Sequence, residues 1–217
     1  MKQTICLVCL LLVPTVWAQD AEVRKAISEL RPKADGGDAR SQFTLGMLYD
    51  PMFGGRDSAE AIRWYIKAAE QGFVQAQISL GGIYKNGRGV PKDYGEAAKW
   101  YGMAAGQDYT PAQRSLGDLY KDRRDYREAA KWYRLAADRG DASAQFSLAS
   151  MYIDGQGVPK DDVLAYVWLN LAGVQTSLEP FRKTISELRD TLEAMMTPQQ
   201  IAEAQSLARE WKPIPAK

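Results

Sequence analysis

The chain has 217 residues, 46% of them hydrophobic and 25% charged, a balance that belongs to folded proteins rather than disordered ones. That length fits one or two domains and is enough to bury a core without staples or metals. Lys and Arg total 28 against 27 Asp and Glu, so the chain lacks the basic footprint of a nucleic-acid binder.

At the N-terminus, Met1-Lys2 is a short basic start, Ile5 to Val13 an apolar run, and Val16-Trp17-Ala18 a site of signal-peptidase type. The sequence predicts a secretory signal peptide over residues 1–18, cut between Ala18 and Gln19, and a protein of the periplasm or the medium. The apolar run is shorter than the roughly 20 residues a membrane span needs, and no later segment qualifies. Cleavage removes Lys2, which brings basic and acidic residues level, and it removes both cysteines, Cys6 and Cys9. Ile5 and Val8 precede these cysteines, which does not match a lipidation signal. The mature chain then has no cysteine and no histidine. That leaves no thiol nucleophile, disulfide, thiolate metal site or imidazole base, and no cofactor is expected.

From residue 38 onward the chain repeats itself. Trp64, Trp100, Trp132 and Trp168 are followed by Tyr65, Tyr101, Tyr133 and Leu169, and then by Ala68-Ala69, Ala104-Ala105, Ala136-Ala137 and Ala172-Gly173. An aspartate stands seven residues before each tryptophan: Asp57, Asp93, Asp125 and Asp161. A second block precedes each of these and contains Leu45-Gly46, Leu80-Gly81, Leu116-Gly117 and Leu148-Ala149, with Gln42, Gln77, Gln113 and Gln145 upstream. Ala76, Leu80 and Tyr84 share one face of a helix, as do Ala61, Tyr65 and Ala69. The aspartates suit N-caps, and Glu60, Glu96 and Glu128 three residues later predict capping boxes. Gly46, Gly81 and Gly117 inside helices predict close helix approach, since glycine there costs about 1 kcal/mol against alanine. Asn86-Gly87-Arg88-Gly89-Val90-Pro91-Lys92-Asp93 recurs as Asp154 to Asp161 and reads as a tight turn between helices.

These motifs (A-Q-x-x-L-G-x-x-Y, G-x-G-V-P-K-D and A-x-x-W-Y-x-x-A-A) resemble the Sel1-like repeat, a relative of the tetratricopeptide repeat. The third copy is short, the first turn keeps only Gly54-Gly55, and the fourth copy loses its Trp-Tyr and Ala-Ala pairs. Relatives often carry a cysteine pair per repeat, so this chain resembles the cysteine-free members. The resemblance implies an all-α, right-handed α-solenoid that presents a concave surface to a partner protein or peptide.

Helical flanks complete the array. Val23, Ile27 and Leu30 predict an N-terminal cap; Ile185, Leu188, Leu192 and Met195 predict a helix near the C-terminus. Thr197-Pro198 opens a last helix, striped by Ile201, Ala204, Leu207 with Ala208, and Trp211. The expected organisation is a signal peptide over 1–18, a capping helix over 19–37, four repeats over 38–176, and capping helices with a tail over 177–217.

Gly87-Arg88-Gly89 lacks the strand and the third glycine of a dinucleotide loop, so it reads as a turn. The recurring aspartates read as caps rather than metal ligands. The charges from Lys121 to Asp125 read as a solvated turn. A β-lactamase-like hydrolase, an activity attributed to some Sel1-repeat proteins, is the alternative function. It lacks Ser-x-x-Lys, histidine and mature cysteine here. The resemblance points instead to a non-catalytic scaffold of the cell envelope or secreted fraction. Its groove would be lined by first-helix positions that vary between copies: Phe43, Met47, Asp50, Ile78, Lys85, Arg114, Asp118, Lys121, Phe146 and Ile153. Such a surface is apolar with a polar station at Arg114, Asp118 and Lys121. The competing reading makes Phe43, Ile78 and Phe146 fillers between repeats.

Overall fold

The structure, a computed structural model, describes the backbone of residues 7–215 and the side chains of residues 21–215. The expected leader lies partly outside the described residues. From Leu7 its backbone continues into the first helix, and the side chains of Ala18 and Gln19 fall outside the described set.

Among the described residues the chain forms helices and no strand. Helix α1 (Leu7–Asp35) leads into four helix pairs. These are α2 (Ala39–Tyr49) with α3 (Ser58–Glu70), and α4 (Val74–Asn86) with α5 (Tyr94–Ala105). They continue as α6 (Thr110–Asp122) with α7 (Tyr126–Asp138), and α8 (Ala142–Asp154) with α9 (Asp162–Gln175). Helices α10 (Glu179–Glu193) and α11 (Pro198–Glu210) close the array. From α1 to α10 each helix packs on the next in sequence, and α11 returns to pack against α9 beside α10. This is an α-solenoid with a helix laid over each end, as a repeat array requires.

The second helix of every pair starts at a capping aspartate. Asp57, Asp125 and Asp161 accept from the backbone N–H groups of Glu60, Glu128 and Leu164, and Asp93 accepts from Gly95 and Glu96. The expected capping boxes do not close, because the glutamates are drawn elsewhere. Glu60 accepts from the indole N–H of Trp64 at 2.9 Å and pairs with Arg31 at 3.2 Å and Arg63 at 3.0 Å. Glu96 turns to Lys99 and Glu128 to Lys131, one helical turn ahead. A reciprocal box forms instead between Thr197 and Gln200 at the start of α11.

Within each pair the helices touch through a glycine and an aromatic ring. A Cβ built on Gly46 would lie 2.5 Å from Cδ1 of Tyr65; on Gly81 it would lie 2.4 Å from the same atom of Tyr101. The fourth pair has Ala149 and Leu169, both fully buried in one cluster. A larger residue on the first helix thus accompanies a smaller one on the second. Trp64, Trp100 and Trp168 are buried, while Trp132 is half-buried.

Consecutive pairs are joined by the recurring glutamines. The side-chain amides of Gln42, Gln77 and Gln145 donate to the carbonyls of Ala34, Ala69 and Ala137, at 2.9, 3.0 and 3.1 Å. Each of these carbonyls lies at the C-terminal end of the preceding helix, where intrahelical donors run out. Gln71 and Gln107 then donate back to the oxygens of Gln42 and Gln77. In the third copy Arg139 stands in this place and pairs with Asp108, whose positive φ of 58° falls where Gly72 and Gly140 have 83° and 87°.

At the C-terminal cap, Ile185 and Leu192 are buried as the stripe requires, but Met195 is 64% exposed and Met196 is buried in its place. Helix α10 ends at Glu193, so the helical register that aimed Met195 inward stops before it. Trp211 packs edge-on against Trp168 at 6.4 Å, and beyond it the Ile214 N–H donates to the carbonyl of Asp138 at 2.8 Å.

Candidate functional site

The first helices α2, α4, α6 and α8 lie side by side. Lys85 on α4 reaches Asp122 on α6 at 2.9 Å, and Arg114 on α6 reaches Asp141, the N-cap of α8, at 3.3 Å. Phe43 on α2 meets Phe73, the N-cap of α4, at 5.2 Å, so contacts run along the row from α2 to α8.

Its apolar members are half-buried. Phe43 sits 5.6 Å from the ring of Tyr65 and 5.2 Å from that of Phe73. Met47 packs on the same cluster, and Ile78 on the next one along. Phe146 meets Phe181 of α10 edge-on at 5.3 Å, and Ile153 packs on the C-terminal cluster. These side chains both fill the joints between repeats and show part of their surface.

The polar station is differently composed from the sequence expectation. Arg114 lies 3.8 Å from Asp118 on the next turn of α6, and Asp118 accepts from the Tyr133 hydroxyl at 2.7 Å. Lys121 stands apart and exposed; Lys85 and Asp122 form the second ion pair of the face. These pairs are solvent-accessible, so each contributes little to stability and remains exchangeable with a partner's charges.

Asp50 does not present itself to a partner. It is buried at the end of α2, where it accepts from the Met52 N–H at 2.9 Å and the Tyr65 hydroxyl at 3.2 Å. Arg88, from the turn after α4, comes within 3.9 Å of it. The chain must leave α2 sharply through a short 3₁₀ turn, Pro51–Phe53, and Asp50 caps that turn. An aspartate in this role is fixed by backbone geometry rather than by a ligand.

Sequence reasoning passed over the tyrosine hydroxyls that run behind this face. Tyr65, Tyr101 and Tyr133 have buried rings, and a buried phenol seeks a partner. Tyr65 finds Asp50 and Tyr133 finds Asp118. Burial, and then the carboxylate, raise both phenols well above their ordinary range. Tyr101 is pushed up to about 12 by burial and by Asp118, with Arg88 and Arg114 opposing. The hydroxyls remain neutral, and those of Tyr65 and Tyr133 donate to the carboxylates. The recurrence of tyrosine after three of the four tryptophans was the available signal.

Side by side, these groups provide hydrogen bonds, ion pairs and apolar edges, which is the chemistry of recognition. Among the described residues, no cluster of three or more His, Cys, Asp or Glu side chains could hold a metal ion. No helix among them is long and apolar enough to cross a membrane.

The chain matches the Sel1 repeat family at residues 39–73, 74–109, 110–141 and 142–173, which is more than half of its length. It belongs to the Sel1 repeat family. No curated protein matches it. The fold is similar to the crystal structure of a Sel1 repeat protein from Oxalobacter formigenes, with a TM-score of 0.63 and 27% identity over 84% of this chain and 75% of that one. It also matches a protective antigen present in uropathogenic Escherichia coli strains that displays an SLR fold, with 27% identity and a TM-score of 0.46 over 84% of this chain and 47% of that one. Sel1 repeat proteins are generally protein-interaction scaffolds, and the fold is typically non-catalytic.

Proposed function

We propose that this protein is a non-catalytic adaptor that holds a segment of a partner protein along the concave face formed by its first helices. We place it in the periplasm or outside the cell. The observation that carries the reading is the make-up of that face. Half-exposed Phe43, Ile78 and Phe146 alternate with the Arg114–Asp118 and Lys85–Asp122 pairs at positions that packing does not hold constant between copies. Aromatic anchors beside exchangeable charges are the usual makings of a binding hot spot. The apolar start of the chain supports export.

The test combines capture and location. The mature protein, carrying a photo-crosslinker at Lys121 or Ser150, is used to isolate a partner from the envelope fraction. Arg114→Glu and Lys121→Glu should then weaken capture while helical content stays constant. Capture that survives both changes would move the partner to another surface. Mass analysis of the protein's own N-terminus should find Gln19; an intact Met1 would remove the export reading.

A further inference from the structure

A cleft of about 980 Å³ opens between the ends of α9, α10 and α11 and the tail. It lies on the C-terminal cap, apart from the first-helix face, and the adaptor reading makes no use of it. Its floor is apolar. Leu171 and Ile185 are buried there, Ala208 and Trp211 are half-buried, and Val174 at its edge is 83% exposed.

The rim is mostly basic. Arg182, Lys183 and Arg189 from α10 and Arg209 from α11 line it, with Glu179 the acid among the lining residues. The α10 cations already form solvent-accessible pairs, Arg182 with Glu179, Lys183 with Glu187 and Arg189 with Asp190, which a partner's carboxylates can exchange. Arg189 is incompletely satisfied. One of its terminal nitrogens reaches Ser186 and Asp190, but its Nε is buried and finds no acceptor in the protein. The lining also includes the amides of Asn170 and Gln175. Amides match the N–H and C=O groups of a peptide backbone, whereas an acyl chain would leave them unanswered.

Length narrows the occupant further. The stretch of α10 from Glu179 to Arg189 lies along the cleft and spans about 15 Å at the helical rise of 1.5 Å per residue. An extended peptide covers that distance in about five residues.

We infer that this cleft is a second peptide site, which takes an extended segment of a partner protein in which carboxylates alternate with apolar side chains. The apolar side chains lie on the Leu171–Ile185–Trp211 floor, and the carboxylates meet the cations of α10 and α11.

Fluorescence anisotropy of the purified protein tests this, with a fluorescein-labelled Leu-Glu-Leu-Glu-Leu peptide and its glutamine and lysine counterparts as probes. The acidic peptide should bind about tenfold more tightly than the glutamine one, and its binding should weaken as salt rises. The double variant Lys183→Glu/Arg209→Glu, at two exposed positions, should reduce binding about tenfold or more, as should Val174→Asp. Circular dichroism confirms that these variants stay folded. Lys121→Glu, on the first-helix face, should leave peptide binding unchanged and affects only the adaptor reading. Equal binding of the three peptides, no binding at millimolar concentration, or loss through Lys121→Glu alone would overturn the inference. So would displacement by dodecanoate at lower concentration than by unlabelled peptide, which would make the cleft an acyl-carboxylate site.

Discussion

Gly117 and Tyr133 touch: a Cβ built on Gly117 would stand 2.5 Å from Cδ1 of Tyr133, closer than such atoms approach in folded proteins. The tyrosine ring lies flat across the helix where a side chain would otherwise be. The same contact joins Gly46 to Tyr65 and Gly81 to Tyr101.

Gly117→Ala should therefore destabilise the fold by about 1–3 kcal/mol through overpacking, although alanine is the better helix former. Tyr133→Leu in the same chain should recover part of that loss, because the fourth repeat combines Ala149 with Leu169. Denaturant unfolding of the two single variants and the double variant measures the coupling, expected at about 0.5–3 kcal/mol. Simple additivity would show that the ring and the glycine do not constrain each other.

The recurring glutamines should not respond alike. Gln77 donates to the carbonyl of Ala69, and Gln77→Leu leaves that buried acceptor without its donor, a cost of about 1–3 kcal/mol. Gln113 has the same place in the third copy, yet its amide nitrogen and oxygen are both buried without a protein partner. Gln113→Leu should be close to neutral or stabilising. Thermal unfolding of the two variants should separate them clearly.

Trp100 is 5% exposed and belongs to the cluster shared by the first two repeats, with Tyr65 and Leu80. Trp100→Ala should cost about 3–5 kcal/mol, and partner binding would then disappear through unfolding. Trp132, half-buried, should cost less when truncated in the same way. A near-constant melting temperature for Trp100→Ala would contradict its role as a bridge between repeats.

Much of this architecture is legible in the sequence because the same side chains recur for the same reason. Capping aspartates, Leu-Gly pairs and buried tryptophans follow from helix geometry and repeat with it. Less legible are the places where a side chain has two suitors. Glu60 is positioned for a capping box, but Arg31, Arg63 and the Trp64 indole claim it. Asp50 varies between copies as a binding residue would, yet it closes a turn found in the first copy. Lys121 belongs by spacing with Arg114 and Asp118, whereas the neighbouring α4 presents Lys85 to Asp122 instead. Such choices depend on distances between helices, which spacing along one helix does not contain.

The tyrosines behind the first-helix face make the fold sensitive to alkali. Their folded-state pKa values lie above the ordinary value of 10.0, with Tyr101 at about 12. The neutral phenol is thus favoured by folding. This stabilisation is complete below pH 10 and is lost as pH rises from the ordinary value through the folded one. Tyrosinate absorbance and circular dichroism, followed together, should show exposed tyrosines ionising first. Tyr65, Tyr101 and Tyr133 should ionise only as helix is lost. Ionisation of all tyrosines near pH 10 with helices intact would contradict their burial.

The hydrogen bond from Ile214 to Asp138 changes how the array can come apart. A linear stack ordinarily unravels from its ends, since a terminal unit has a single neighbour to hold it. Here the last residues double back past α9 and fasten to the end of the third repeat, while Trp211 presses on Trp168 from the fourth. The fourth repeat is thus contacted by chain from both sides, and peeling it away also costs the tail's contacts. Release of the fourth repeat is therefore coupled to release of the segment from Trp211 to Ile214.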